Sequence, residues 1–273
     1  MNAREIAGAA ARRLEAAGLS DARFEAEVLV REAAGISRAA YFAGACLEGA
    51  SRGRLEQWLA RREAREPLAY ITGWREFYGR RFAVGPGVLV PRPETELLVE
   101  AAVSRIAPGA PAVVLEVGTG SGAVAVSVAA ERPSATVMAT EVSREALQFA
   151  QLNAAAHAPG VVLVRGSLAD AVRRADIVLA NLPYIPSGEI DALEPEVSRW
   201  EPRVALDGGH DGLDLIRALI RDCAERLRPH LLALEVGFGQ AEAVASLGKV
   251  AGASVSVTRD LAGIDRVVCL EWA

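Results

Sequence analysis

Asn181-Leu182-Pro183-Tyr184 combines three chemical tools in four consecutive residues. The asparagine oxygen can accept a hydrogen bond from an –NH2 group, the proline holds the residue before it in extended backbone, and the tyrosine offers a flat face. The apolar run Asp176-Ile177-Val178-Leu179-Ala180 precedes it and reads as a buried strand, so the tetrapeptide falls at that strand's carboxyl end. Open α/β sheets place their ligands there. These residue types suit a site that grips an amide or an exocyclic amine. A plain strand-ending turn uses Asn and Pro as well, so the choice between the two rests on the rest of the chain.

Glu116-Val117-Gly118-Thr119-Gly120-Ser121-Gly122 follows another apolar strand pattern and opens a helical one. Glycines let backbone approach a ligand closely. A dinucleotide fingerprint requires G-x-G-x-x-G, with a pyrophosphate at the helix N-terminus. The spacing here is G-x-G-x-G with an acid just before it, which suits S-adenosylmethionine: an acid near the loop can hold an amino group, and no phosphate needs binding. Glu141 ends the next strand pattern, where a carboxylate can accept both hydroxyls of a ribose. The bland alternative is a tight strand-to-helix turn.

These residues require a scaffold of alternating strands and helices. From about Pro93 the pattern gives a helix over 94–106, a strand at 112–117, a helix after Gly122, a strand at 136–140, a helix from near Ser143, and strands at 161–164 and 177–180. After a long loop of 181–210 come a helix at about 213–227, a strand at 231–236, and strands near 255–258 and 266–270. Such alternation predicts a mainly parallel, doubly wound α/β sheet, and the two final strands predict an antiparallel edge pair. Ala233-Leu234-Glu235-Val236-Gly237-Phe238-Gly239 nearly repeats the glycine segment and reads as a second strand-to-helix turn. The first 67 residues read as Ala-rich helices, with breaks at Gly18–Asp21, Gly35–Ser37 and Gly49–Ser51, where Ser or Asp would cap the next helix. The last of them is expected from about Ser51 to Glu66. The aromatic, Gly-rich stretch that follows predicts a β-hairpin.

Composition narrows the function classes. A net charge of −5 and a pI of 5.4 argue against sequence-independent nucleic-acid binding. Arg61, Arg62, Arg65, Arg75, Arg80 and Arg81 leave a local basic patch open, as they do a solvated helix face. Cys46, Cys223 and Cys269 are odd in number and show no metal-ligand spacing, and His157, His210 and His230 do not cluster, so reduced thiols and no metal site are expected. No apolar run reaches transmembrane length, and the N-terminus lacks a signal peptide's apolar region, so a cytoplasmic protein away from membranes is expected.

The chain resembles the release-factor glutamine methyltransferase family over essentially its whole length. Besides the two motifs above, the resemblance rests on Pro67-Leu68-Ala69-Tyr70-Ile71-Thr72-Gly73, Arg75-Glu76-Phe77-Tyr78-Gly79 and Pro91-Arg92-Pro93-Glu94-Thr95-Glu96. It also rests on Glu201-Pro202, Ala205-Leu206, Gly208-Gly209, and Asp260 with Gly263–Val268. The resemblance implies a class I S-adenosylmethionine-dependent methyltransferase with a Rossmann-like, seven-stranded, mostly parallel sheet. A helical substrate-docking domain over 1–67 and a hairpin linker over 68–92 would precede the methyltransferase domain of 93–273. The implied reaction is methylation of the side-chain amide nitrogen of the glutamine in the Gly-Gly-Gln motif of peptide chain release factors, with no nucleic-acid partner.

Carried over by position, Glu116, Gly118, Thr119, Gly120, Ser121, Gly122, Glu141, Leu168 and Asn181 would hold the cofactor. Asn181, Leu182, Pro183 and Tyr184 would hold the glutamine, with Asn181 and Tyr184 as catalytic residues. Two departures stand out. Leu182 occupies the place of the family's first proline, and Ser167-Leu168 replace an acid and an aromatic beside the adenine. Asn-Leu-Pro-Tyr also matches the ribosomal-RNA adenine-N6 methyltransferases, whose basic helical domain follows the catalytic core instead of preceding it. A ribosomal-protein glutamine methyltransferase, a cofactor-binding protein without catalysis and, disfavoured by the glycine spacing, a nicotinamide oxidoreductase are the remaining alternatives.

Overall fold

The computed structural model describes residues 2–272, which divide into two compact units. One contains the described residues up to Trp74 together with Glu194–Trp200, and the other contains Arg75–Leu193 and the rest of the chain from Glu201.

The first unit is helical, with helices at Ala3–Ala16, Ala22–Ala34, Arg38–Phe42, Gly49–Glu63, Leu68–Thr72 and Pro195–Ser198. Asn2 opens the first helix through a capping box with Glu5, and Ser37 caps the third by accepting from the Ala40 N–H. The fourth starts earlier than the serine at 51 suggests: Glu48 is its N-cap, and Ser51 lies inside its first turn. Buried Ala3, Ala7, Ala10, Ala22 and Ala26 let the helices pack closely around Leu14, Leu29, Leu55 and Leu59. Buried Arg62 donates to both carboxylate oxygens of Glu25 at 2.6 and 3.0 Å and to Glu196 at 2.8 Å. This ties the 194–200 segment to the unit.

The second unit opens with a hairpin of β1 (Trp74–Phe77), whose first residue belongs to the first unit, and β2 (Arg80–Ala83); its turn residues, Tyr78 and Gly79, both have positive φ. Such a turn matches the right-handed twist of its strands. The main sheet holds β3 (Val113–Val117), β4 (Thr136–Glu141), β5 (Val162–Arg165), β6 (Ile177–Ala180), β7 (Leu231–Glu235), β8 (Ser254–Arg259) and β9 (Asp265–Glu271). Their order is β5-β4-β3-β6-β7-β9-β8. The expected antiparallel edge pair is present, but β9 is inserted between β7 and β8 and is antiparallel to both.

The apolar strands are sandwiched between two apolar clusters, one containing Val114, Val137, Ile177 and Leu179 and the other Leu115, Val117, Val178 and Leu234. Burial on both faces explains why these strands read as continuous apolar runs in the sequence. β3 pairs in parallel with β4 on one side and with β6 on the other, so the strand order reverses there. Val117 pairs with Thr140 and with Ala180 in these ladders, which brings the carboxyl ends of β3, β4 and β6 together. An open α/β sheet forms its crevice at this point.

Candidate active site

The turn after β3 is built from three glycines at positive φ: Gly118 (+73°), Gly120 (+55°) and Gly122 (+82°). The N–H groups of Gly118 and Thr119 both donate to the Thr140 carbonyl of β4, at 2.9 and 3.0 Å. Glu116 braces the turn from inside: its Oε2 accepts from the Thr119 hydroxyl at 2.5 Å and from the Ala125 N–H at 2.8 Å. Burial pushes the Glu116 carboxyl up to about 8, against the opposing effect of those two bonds. Asn153 holds the turn from the other side, donating to the Ser121 carbonyl at 2.8 Å.

Glu141 ends β4 beside this turn. Its Oε2 accepts from the Gly120 N–H at 2.9 Å and its Oε1 from the Ser143 N–H at 2.8 Å. Each oxygen keeps a further lone pair. Leu168, in the loop after β5, takes the left-handed conformation at φ 45°, and its carbonyl accepts from the Thr140 hydroxyl at 2.7 Å.

A cavity of about 310 Å³ opens at this point, within the size range of small-molecule sites. Glu116, Gly118, Thr119, Gly120, Ser121, Glu141, Leu168, Asn181, Leu182 and Pro183 all line it. Gly122 and Tyr184 do not. Gly122 lies behind the turn, where a Cβ would come within 3.3 Å of Ala150, so its glycine serves helix packing. The Tyr184 ring packs against the core cluster that contains Leu234 and Val236, and burial pushes its hydroxyl up to about 12.

Asn181 Nδ2 donates to Thr95 Oγ1 at 3.1 Å. The Leu182 side chain is buried and packs against the glycine turn: a Cβ on Gly118 would lie 3.2 Å from its Cδ2. The Tyr184 carbonyl accepts from Gln240 Nε2 at 2.8 Å, and Gln240 Oε1 in turn accepts from the Gly237 N–H at 2.9 Å. Gly208 and Gly212 back the same segment so closely that a Cβ at 208 would stand 2.6 Å from the Pro183 carbonyl. On the rim, buried Glu201 pairs with Arg92 at 2.5 Å and accepts from the Val90 N–H at 3.1 Å. Thr95, Gln240 and Glu201 are therefore parts of the site that sequence reasoning did not assign. Thr95 and Glu201 lie within quoted motifs and Gln240 just after one, but Thr95, Glu201 and Gln240 each meet a partner distant in sequence.

The lining suits an adenosyl cofactor better than a dinucleotide. Among the described residues that line it, Arg92 is the one cation, set against the two carboxyls of Glu116 and Glu141. A pyrophosphate calls for charge-assisted donors, whereas a ribose and an amino group call for acceptors.

Comparison with known proteins decides the family. The PrmC N-terminal domain family matches residues 5–73 and the methyltransferase small domain family matches residues 93–193. A release factor glutamine methyltransferase from Geobacter sulfurreducens is 43% identical, covering 92% of this chain and 90% of its own. One from Cereibacter sphaeroides is 44% identical, covering 98% of each. The chain belongs to the release factor glutamine methyltransferase family. It is thus an enzyme, a methyltransferase whose cofactor is S-adenosylmethionine. A crystal structure of a methyltransferase from Pyrococcus furiosus shares the fold, with a TM-score of 0.53 at 18% identity over 81% of this chain and 96% of that one. Among the described residues no cluster of His, Cys, Asp or Glu could hold a metal, and no helix is long and apolar enough to cross a membrane.

Proposed function

We propose that this enzyme methylates the side-chain amide nitrogen of the glutamine in the Gly-Gly-Gln motif of peptide chain release factors. The observation that carries this reading is the state of Asn181. Its –NH2 is committed to Thr95, so its Oδ1 is the group left to accept from an amide entering the cavity.

When bound, the cofactor supplies an electrophilic sulfonium methyl group. Glu141 would accept from the ribose hydroxyls through its remaining lone pairs, and Leu168 would pack against the adenine. A carboxamide nitrogen is a poor nucleophile because its lone pair is conjugated with the carbonyl. The Asn181 Oδ1 and the Leu182 carbonyl accept the two amide hydrogens, which aims the nitrogen and favours its developing charge. Orientation of this kind contributes up to about 7–11 kcal/mol over free encounter. Leucine supplies the same backbone carbonyl as proline, so the departure at 182 is compatible with this role. Tyr184 acts from behind the turn, as a buried prop for the segment that carries those acceptors. The helical N-terminal unit is the dock for the release factor, and such a partner places the enzyme in the cytoplasm.

The test is transfer of label from S-adenosylmethionine to purified release factors, ribosomal protein and ribosomal RNA, mapped by mass spectrometry. One methyl on the Gly-Gly-Gln glutamine is expected. Label confined to RNA or to a ribosomal protein overturns the substrate assignment, and cofactor binding without transfer overturns the catalytic one.

A further inference from the structure

The hydroxyl of Thr95 stands between Asn181 and a buried carboxyl. Asn181 Nδ2 reaches Thr95 Oγ1 at 3.1 Å, and the Thr95 hydroxyl lies near enough to Glu235, the last residue of β7, to favour the ionised form of its carboxyl. Glu235 is 2% exposed, and its Oε2 has no hydrogen-bond partner. Leu234 of β7 pairs with Ala180 of β6, so the sheet itself sets Glu235 beside Asn181. A hydroxyl has one proton and two lone pairs. When Glu235 is ionised its carboxylate attracts the Thr95 proton, which leaves Oγ1 able only to accept. Only the –NH2 end of the Asn181 amide can then face it, and Oδ1 is turned to the opposite side.

We infer that Glu235 and Thr95 are positioning residues that fix the amide of Asn181 with Oδ1 toward the substrate, acting on the reaction only through Asn181. The inference rests on the glutamine-gripping reading of Asn181 given above. It also gives the buried carboxyl a use: a charge without full pairing is costly in a core, and here it sets a polarity that a neutral partner leaves undetermined. A protonated Glu235 can donate to Thr95, which frees the Thr95 proton to meet Oδ1 of a flipped amide. Protonation therefore loosens the grip. Burial pushes this carboxyl up to about 7, with Glu94 raising it and Arg266 and Arg92 lowering it. The hydroxyl of Tyr184 also faces it, buried and un-ionised at neutral pH.

Two measurements test this. In the transfer assay, Thr95→Val should lower kcat by about three- to tenfold, the worth of one hydrogen bond, with little change in KM for the release factor, and Thr95→Ser should recover most of the loss. In an Asn181→Ala background, Thr95→Val should change kcat no further. An equal loss in both backgrounds overturns the inference, because a merely structural role would act in both. The second measurement needs no transfer. The side-chain –NH2 resonances of Asn181, assigned by their disappearance in Asn181→Ala, should shift with pH at the ionisation of Glu235. They should stay fixed in Glu235→Gln and in Thr95→Val. Resonances that titrate unchanged in both variants, or in none of the proteins, overturn the inference. If wild type transfers nothing to any release factor, the substrate reading fails alone, and the resonances still decide the relay.

Discussion

At the scale of single residues the site divides into groups whose chemistry is local in sequence and groups whose chemistry is not. Asn181 Oδ1 is the acceptor left facing the cavity, so Asn181→Ala should lower kcat by about 10²–10³-fold, the usual cost of one preorganised partner. KM should change little, since the bond strengthens as charge develops. Steady-state kinetics with a release factor decides this, and a kcat within a few-fold of wild type contradicts the model of amide gripping. Glu141→Ala should weaken S-adenosylmethionine binding by about 1–3 kcal/mol in titration calorimetry. It also strips the Gly120 and Ser143 N–H groups of their acceptor, so the turn should loosen together with the affinity. That both residues line the cavity was legible in the sequence, because Glu141 ends a strand and Asn181 directly follows one, each near a glycine or proline signal. Thr95, Glu235 and Gln240 were not legible as site residues. Thr95 meets Asn181 across 86 positions, and no local spacing states which distant hydroxyl an asparagine will choose.

At the scale of elements, apolar strand runs and glycine punctuation were enough to foresee the alternating sheet, because strands buried on both faces leave uninterrupted apolar segments. The insertion of β9 between β7 and β8 was not foreseeable, since pairing partners depend on the path of the chain and not on strand composition. The glycines of 208–212 show the same limit. They read as a loop, yet they are the floor on which the 183–184 segment lies. Gly212 has φ +77°, and a Cβ there would overlap the Tyr184 carbonyl. Gly212→Ala should therefore cost about 1–3 kcal/mol of stability from the backbone conformation alone. It should also push the segment off its seat and reduce kcat. Thermal unfolding together with kinetics checks both, and a variant of unchanged Tm and kcat would show that the close approach relaxes freely.

At the scale of the whole molecule, acids of opposite character, one half-buried and two buried, sit in different parts of the chain and respond to pH in different windows. In the helical unit, burial raises the Glu196 carboxyl, but bonds from Arg65 and Arg62 outweigh it and hold it below its ordinary 4.5. A lowered carboxyl contributes stability above its unfolded value and loses it as pH falls through the folded one. Glu116 and Glu235, in the sheet, behave the other way. Burial raises them from 4.5 to about 8 and about 7. The folded chain then keeps protons that the unfolded chain has released, so their contribution is fully present below about 4.5 and is lost as pH rises through 7 and 8. Stability should thus fall between about pH 5 and about pH 8, by on the order of 1 kcal/mol per pH unit for each group while both remain protonated in the fold. Glu116→Gln keeps the shape and an acceptor for the Thr119 and Ala125 bonds while removing the titration. Urea unfolding across that range should show a shallower fall in the variant than in wild type. Equal slopes would mean that Glu116 is ionised throughout in the folded enzyme. The turn would then be held by a buried charge, and the carboxylate beside the cofactor's place would act as an ion and not as a neutral brace.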